Sequence, residues 1–149
     1  MSIKFRIATE RDCDLMFKWV NDEKVRANAF RSKVIRYDEH KEWFKKKIAS
    51  DTTKIFIASR NNEDIGQIRI DIEERIGTID YSIAKCYRGK GYGVELLTGI
   101  TRLIKEYKIP VVKLVGKVKY ANTASKKAFI KAGYTEERKE EFIEFSKQT

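Results

Sequence analysis

The feature that most constrains this 149-residue chain is a glycine-rich stretch, Arg88-Gly89-Lys90-Gly91-Tyr92-Gly93. It lies between a strand-like run, residues 76–83, and a helix-like run, residues 94–107. Three glycines at alternate positions allow positive φ angles, so that successive N–H groups can turn toward one point at the start of a helix. Such a turn favours a phosphate, because a helix start has unpaired N–H groups and the positive end of the dipole, and Arg88 and Lys90 add charge. A glycine-rich turn that binds nothing is the alternative.

The spacing of the glycines excludes two common nucleotide-binding turns. The chain contains no G-x-x-x-x-G-K-[ST] sequence, so the turn is not a P-loop. Its glycine order is G-x-G-x-G rather than G-x-G-x-x-G, and the next strand ends in Lys117 and Lys119, where a dinucleotide site would need an acidic residue. The surrounding elements must therefore decide which ligand the turn binds.

Size and composition predict a single domain, residues 1–149, that is large enough to bury a core. Cys13 and Cys86 are isolated and lack metal-ligand spacing, which predicts no metal site and a cytoplasmic setting with reduced thiols. No leader segment and no membrane span are expected, because no apolar run is long enough. The 32 basic residues exceed the 22 acidic ones, giving a net charge of +10 that favours anionic ligands and disfavours polycationic substrates.

The hydrophobic periodicity predicts strands and helices in a definite order. The chain begins with a strand (residues 3–7), a helix (9–20), a polar loop with at most one helical turn (21–37) and a second helix (38–48). Three antiparallel strands (55–83) lead into the glycine turn (88–93) and a helix (94–107). A strand (112–118), a helix (122–132) and two weak strands (134–145) complete the order. The strand before the glycine turn and the strand after the following helix form one crossover unit. These two strands must therefore be parallel.

The R-x-x-G-x-G turn between a strand and an amphipathic helix resembles the acetyl-CoA pyrophosphate loop of the GNAT superfamily of N-acetyltransferases. A second segment, Asn122-Thr123-Ala124-Ser125 followed by Phe129 and Gly133-Tyr134, is similar to the family's N-x-x-S…[YF]…G[FY] pattern. The order of elements matches over nearly the whole chain. The resemblance implies an α+β fold with a central mixed sheet of six to seven strands, mostly antiparallel with one parallel crossover, flanked by four helices. It also implies an enzyme that moves acetyl from acetyl-CoA to a primary amine by direct attack in a ternary complex, without a metal.

The resemblance assigns the contacts of the cofactor as well. The backbone of Arg88 through Gly93 would hold the diphosphate. The pantetheine amides would pair with the open edge of the strand that ends at Ile83 and Ala84, as an added β-strand does. Asn122 and Ser125 would contact the pantetheine arm.

The chain differs from the family at the position of the residue that protonates the leaving thiolate. Many relatives have a tyrosine four residues after the serine of the second motif, and here that position is Phe129, which has no proton to give. Either Tyr120, at the end of the preceding strand, replaces it, or water supplies the proton. Cys86 is not expected to carry an acyl group, because no base is visible beside it.

Two residues are candidates for proton transfer from the amine. Asp80 alternates away from Ile79 and Tyr81 on its strand, so it can point into the acceptor cleft as a general base, although a solvent-facing carboxylate would show the same pattern. His40 is the only histidine, and an ordinary pKa near 6.5 suits a proton relay. The alternative for His40 is an ordinary surface residue on a helix.

Two N-terminal segments bear on the acceptor. Residues 19–26, W-V-N-D-E-K-V-R, and 37–44, Y-D-E-H-K-E-W-F, look like segments of nucleotide-sugar N-acetyltransferases that act on UDP-linked 4-amino sugars in the pseudaminic acid pathway. Basic residues crowd the loop between them, which suits an anionic sugar nucleotide. These observations predict Arg26 or a neighbour on the phosphates and an aromatic residue, Phe30 or Trp43, on a ring.

Two other functions remain open at this level. One is a ribosomal-protein or peptide N-terminal acetyltransferase, whose basic acceptors would be repelled by the loop. The other is a GNAT-shaped module that binds CoA or a partner without catalysis, which is consistent with Phe129 at the position where many relatives have a tyrosine. Nucleic acid is disfavoured as the partner, because no basic run interleaved with aromatic residues is present. Neither a monomer nor a homodimer is excluded.

Overall fold

A computed structural model describes residues 3–149. Residues 1 and 2, which belong to the predicted domain and to the N-terminal stretch where no leader is expected, lie outside the described residues. The centre of the fold is one sheet with the strand order β1-β2-β3-β4-β5-β7-β6. The strands are β1 (Lys4–Ile7), β2 (Thr53–Arg60), β3 (Glu63–Glu73), β4 (Ile76–Ile83), β5 (Lys113–Lys119), β6 (Thr135–Arg138) and β7 (Phe142–Gln148). Every neighbouring pair is antiparallel except β4 and β5. The predicted mixed sheet with one parallel crossover is therefore confirmed.

Helices cover both faces of this sheet. They are α1 (Cys13–Val20), α2 (Glu23–Asn28), α3 (Tyr37–Ala49), α4 (Tyr92–Glu106) and α5 (Thr123–Lys131), with short 3-10 helices at Glu10–Asp12 and Lys85–Tyr87. No helix within residues 3–149 is long and apolar enough to cross a membrane.

The sequence predicted four helices, and the fifth is α2, which occupies part of the predicted loop. Its first turn is capped by Asp22, whose Oδ1 accepts hydrogen bonds from the N–H groups of Lys24 and Val25 at 3.0 and 3.2 Å. An N-cap aspartate satisfies backbone donors that a short helix would otherwise leave unpaired. The helix buries no side chain, so its sequence lacks the apolar periodicity that reveals a packed helix.

Alternate residues of β2 supply two separate apolar clusters. Ile55 and Ile57 join the cluster that α1 and α3 form with Trp19 and Phe44. Phe56 and Ala58 join the larger cluster that α4 and α5 form on the other face. The two faces of the sheet are thus covered by different helices, α1 and α3 on one and α4 and α5 on the other.

The parallel strands β4 and β5 separate after only three residue pairs. Ile76–Thr78 pair with 113–115, and beyond that point no register joins the two strands. Phe129 of α5 packs onto Gly116, where an added Cβ would lie 2.4 Å from the ring, so α5 approaches β5 closely beside the opening. The separation leaves a gap in the sheet that can be reached from both faces.

Candidate active site

A cleft of about 870 Å³ opens where β4 and β5 diverge. One side is lined by α1, α2 and Trp43 of α3, and the other by the glycine turn and the first turns of α4 and α5. Two molecules could therefore approach a common point from opposite faces of the sheet. We refer to these sides as the acceptor half and the cofactor half.

The glycine turn forms the end of the cofactor half. Gly89 and Gly91 have φ of +76° and +84°, and a Cβ at either would meet nothing within 4 Å, so the backbone conformation rather than crowding requires glycine. Gly91 is the N-cap of α4, and its carbonyl accepts from the Glu95 N–H at 3.3 Å. The preceding N–H groups have no intrahelical acceptor, so the turn presents main-chain donors and the positive helix end to the cleft. This open cradle fits a diphosphate.

The side chain of Arg88 does not add its charge to this cradle as predicted. It donates from Nε to the Ile83 carbonyl at 3.0 Å and from Nη2 to Asp22 Oδ1 at 2.8 Å, which ties the glycine turn to the cap of α2. Burial opposes ionisation of Asp22, but the hydrogen bonds from Arg88 and the Val25 N–H outweigh it and lower the Asp22 pKa. Lys90 is exposed and does not line the cleft. The cradle thus consists of main-chain groups.

The edge of β4 that faces the opening ends earlier than predicted. The Ala84 N–H donates to the Ile65 carbonyl of β3 at 2.8 Å, and the Ala84 carbonyl accepts from Tyr87 at 2.9 Å. Both backbone groups of Ala84 are used within the protein, so its predicted contact with pantetheine is corrected. Because neighbouring residues of a strand direct their groups to opposite edges, Ile83 and Tyr81 face the gap.

The first turn of α5 forms the other wall of the cofactor half. Asn122 caps α5 by accepting from the Ser125 N–H at 3.2 Å, and both residues line the cleft as predicted. The Ser125 Oγ accepts from the Tyr81 hydroxyl at 3.0 Å. Burial raises the pKa of Tyr81, with the Ser125 hydrogen bond opposing the shift, so this hydroxyl is protonated at neutral pH.

Tyr81 was missed as a site residue in the sequence. It alternates with Ile79 and Ile83, a pattern that indicates a core position. Its ring does pack beside Phe129, with centroids 5.9 Å apart, but its hydroxyl reaches the cleft wall. A tyrosine in an otherwise aliphatic strand face was the available signal, since a buried hydroxyl needs a partner.

Asp80 lines the cleft on the acceptor half, as the alternation along β4 predicted. Its side chain is 53% exposed and its Oδ2 lies 3.3 Å from Arg69 Nη2. A carboxylate at the opening with one cationic neighbour can accept a proton from an amine brought to it. The structure therefore keeps Asp80 as the candidate base.

His40 lies in the packing between α1 and α3, only 2% exposed. Its Nε2 is 3.0 Å from the Cys13 carbonyl, which can only accept, so Nε2 carries a proton. Burial lowers the pKa of His40, and the imidazole is neutral at neutral pH. Its ring stacks on Phe44, with centroids 5.8 Å apart. These contacts describe a packed histidine at the rim of the cleft.

Three predicted site residues have other partners. The Tyr120 hydroxyl donates to the Lys139 carbonyl, and Tyr120 does not line the cleft, so its predicted role as proton donor is corrected. Phe30 is 56% exposed and packs edge-on against Phe142 outside the cleft. Arg26 lines the cleft but donates to the carbonyls of residues 20, 31 and 33, so it organises the loop after α2. Of the predicted ring-binding aromatics, only Trp43 lines the cleft.

A polar group on β3 was not predicted. Arg69 lines the acceptor half, donates from Nε to Asp71 at 2.9 Å, and lies with its guanidinium carbon 5.0 Å from the centre of the Trp43 ring. Asp71 also accepts from Lys47 and Thr53, each at 2.9 Å. The available signal was that Arg69 and Asp71 alternate with buried isoleucines on a central strand, where both faces are usually covered.

The charged side chains that line the cleft are almost all basic. Asp80 is the single acidic one among the described residues, and the basic ones are Lys24, Arg26, Arg69, Arg88, Lys117, Lys127 and Lys131. Residues 3–149 contain no group of three or more His, Cys, Asp or Glu residues that could hold a metal ion.

The sequence profile of the acetyltransferase (GNAT) domain family matches residues 3–135. The chain therefore belongs to the GNAT family of acetyltransferases, and the seven-stranded sheet with its crossover is the GNAT fold. A comparison with curated protein sequences gave no match.

Solved structures with the same fold include acetyltransferases for different acceptors. The aminoglycoside acetyltransferase AAC(6')-Ib, solved with ribostamycin and coenzyme A, is 18% identical with a TM-score of 0.86, over 99% of this chain and 94% of that one. Spermidine N-acetyltransferase from Vibrio cholerae, solved with CoA and spermine, is 17% identical with a TM-score of 0.86, over 99% and 95%. The ribosomal L7/L12 alpha-N-protein acetyltransferase RimL, solved with CoA, is 15% identical with a TM-score of 0.83, over 99% and 94%.

Proposed function

We propose that this GNAT acetyltransferase transfers acetyl from acetyl-CoA to the primary amine of an anionic small molecule, an amino-sugar nucleotide, by direct attack in a ternary complex. The single observation that carries the choice of acceptor is the charge of the acceptor half. It is lined by Lys24, Arg26, Arg69 and Lys117 against one carboxylate, Asp80.

The cofactor half suits acetyl-CoA for reasons that do not depend on side-chain charge. The main-chain donors of the glycine turn would bind the diphosphate. At the gap edge of β4, the backbone of Tyr81 and the N–H of Ile83 would pair with the pantetheine amides, since the Ile83 carbonyl already accepts from Arg88. Asn122 and Ser125 stand on the opposite wall. Bound there, acetyl-CoA would supply the acetyl group as a reactive thioester.

The residues of the acceptor half provide positioning and a proton acceptor. Asp80 would accept a proton from the amine as its nitrogen bonds to the acetyl carbon and the carbon–sulfur bond breaks. The departing thiolate needs little assistance, since a free thiol has a pKa of about 8.5, and water would protonate it. Phe129 supplies no proton, so rate enhancement would rest mainly on bringing the two reactants together.

The charge pattern argues against the cationic acceptors named for two of the similar structures. A second positive charge about 4 Å from a lysine or arginine is repelled by about 1 kcal/mol in water and by more in a partly buried cleft. An anionic amine gains the same interactions with opposite sign. The half-buried Trp43 ring, at the same wall, offers apolar surface for the flat face of a sugar ring.

The test is an acceptor panel with release of free thiol as the readout. It compares a UDP-linked 4-amino sugar, spermidine, ribostamycin and a peptide with N-terminal serine at one ionic strength. We expect the sugar nucleotide to have a kcat/KM at least about ten-fold above the others, and the difference to shrink as salt screens the cleft. A preference for spermidine or for the peptide would contradict the proposal.

Lys24→Met with Lys117→Met sharpens this test, because both lysines line the acceptor half. The double variant should lower kcat/KM for the sugar nucleotide about ten-fold, which corresponds to about 0.7 kcal/mol for each of two exposed charge interactions. Lys105→Met and Lys108→Met together are the matched control, since neither residue lines the cleft. An equal loss of kcat/KM in the two double variants would show that the preference for the sugar nucleotide does not depend on the charge of the cleft.

A further inference from the structure

The acceptor half contains more polar groups than the protein itself satisfies, and they lie together on β3 and β4. Arg69 pairs in register with Asp80, and Gln67 with Ser82. Residues directly opposite in an antiparallel pair share one face of the sheet. This face is the one covered by α1 and α3, because Ile55 and Ile57 of β2 pair with Arg69 and Gln67.

The Arg69 guanidinium is held rigidly but is not fully used. Its Nε donates to Asp71 at 2.9 Å and its Nη2 lies 3.3 Å from Asp80, while its Nη1 makes no hydrogen bond within residues 3–149. Asp71 is fixed in turn by Lys47 and Thr53. A guanidinium whose position is fixed by other groups loses little entropy when it binds an oxyanion through its remaining donors.

Gln67, beside Arg69 on β3, also has an unused hydrogen-bonding group. It is 5% exposed and lines the cleft, its Nε2 donates to Ser82 Oγ at 3.3 Å, and its Oε1 is buried without a partner. An unpartnered buried oxygen is costly. The terminal torsion of glutamine is soft, so the amide can turn to accept a hydrogen bond from a ligand. Two neighbouring side chains of the same wall thus have hydrogen-bonding capacity to spare.

From this arrangement we infer that Arg69 binds an oxyanion of the acceptor, a carboxylate or phosphate oxygen, next to the amine that Asp80 receives, and so determines acceptor specificity. The inference rests on the proposed function and adds a requirement to it. The acceptor must place its negative group against Arg69 while its amine meets Asp80, because the same guanidinium contacts Asp80. Trp43 covers one face of the guanidinium and leaves its edge for the ligand.

The experiment measures binding without turnover. Protein saturated with CoA is titrated by calorimetry with two matched pairs, glucosamine 1-phosphate against glucosamine and L-serine against ethanolamine, which differ only in the phosphate or the carboxylate beside the amine. We expect the native protein to bind at least one oxyanion member about 30-fold more tightly than its partner, the scale of a charged hydrogen bond. The pair that shows the difference identifies the oxyanion.

Arg69→Met should abolish that preference and leave CoA binding unchanged. The matched control is Arg102→Met, since Arg102 also lies over an aromatic ring, that of Phe5 at 5.9 Å, but outside the cleft. Arg69→Gln keeps a polar side chain at this site and should lose the preference as well, which covers the case in which the methionine variant does not fold.

Two outcomes would overturn the inference, and they are distinguishable from each other. If Arg69→Met or Arg69→Gln weakens both members of a pair equally, Arg69 only supports Asp80, and the proposed anionic acceptor stands. If the native protein binds the members without an oxyanion, or spermidine, more tightly, the proposed function itself fails, and that result is read from the native protein alone.

Discussion

The two halves of the cleft are built in different ways. The cofactor half consists largely of main-chain groups from one continuous segment, with Gly89 and Gly91 at positive φ before α4. The acceptor half is built from side chains on α1, α2, α3, β3, β4 and β5. A site made of backbone tolerates sequence change around its glycines, whereas a site made of side chains changes its ligand with each substitution. Acetyltransferases solved with an aminoglycoside, with spermine and for a ribosomal protein have the same fold as this chain.

The largest effect should come from the carboxylate of the acceptor half. Asp80→Asn keeps the shape of the side chain but removes the proton acceptor, so kcat/KM should fall by about 100- to 10,000-fold. Affinity for CoA should not change, since Asp80 lies on the other half. The control is Asp64→Asn, which alters a carboxylate that is paired with Arg6 outside the cleft. A loss of less than about five-fold would mean that another group is the base.

The cofactor half should respond to backbone conformation alone. Gly91→Ala and Gly133→Ala both place a side chain at positive φ, +84° and +88°, at a similar cost of about 1–2 kcal/mol in the free energy of unfolding. Only Gly91 belongs to the cradle. Calorimetry should therefore show about ten-fold weaker CoA binding for Gly91→Ala, because the strain at residue 91 displaces the converging N–H groups at a similar cost in binding free energy. CoA binding by Gly133→Ala should be unchanged. Equal CoA affinities for the two variants would show that the turn does not hold the cofactor.

Comparing the two tyrosines tests which hydroxyl belongs to the site. Tyr81→Phe removes a hydrogen bond to Ser125 in the cofactor wall and should weaken CoA binding several-fold, the scale of about 1 kcal/mol for one hydrogen bond. Tyr120→Phe removes the bond to the Lys139 carbonyl outside the cleft and should leave CoA binding and kcat unchanged. A loss of activity in Tyr120→Phe but not in Tyr81→Phe would support Tyr120 as the proton donor, the role that the sequence suggested.

The smallest effect concerns the support beneath the acceptor half. Burial opposes ionisation of Asp71, but the charge of Arg69 and the hydrogen bonds from Lys47 and Thr53 outweigh it and lower the Asp71 pKa below 3.8. Its contribution to the free energy of unfolding is therefore complete above that value and is lost as the pH falls through the folded-state pKa. The melting temperature of Asp71→Asn should fall less steeply with acid than that of the native protein. Asp51→Asn is the exposed control, and parallel acid curves for Asp71→Asn and the native protein would exclude this linkage.

The same contrast explains what could be predicted from the sequence. The glycine turn, the capped start of α5 and the parallel crossover depend on residues close together in the chain, and all three were predicted correctly. The prediction that the side-chain charge of Arg88 adds to the cradle was wrong, because its partner Asp22 lies 66 residues away in the chain. Arg69 and Gln67 were missed because the acceptor wall depends on the registers of β2, β3 and β4 together with the position of α3. Long-range register is not readable from one sequence, since each strand satisfies the same alternation in several pairings.

The most direct test of a cleft with two separate halves is a bisubstrate ligand that joins the sulfur of CoA through an acetyl linker to the amine of a UDP-linked 4-amino sugar. Calorimetry compares it with CoA and with the corresponding spermidine conjugate. We predict that the sugar conjugate binds at least about 100-fold more tightly than CoA, because the second half is engaged at high effective concentration. A sugar conjugate that binds no better than CoA, or less tightly than the spermidine conjugate, would contradict the assignment of an anionic amine to the acceptor half.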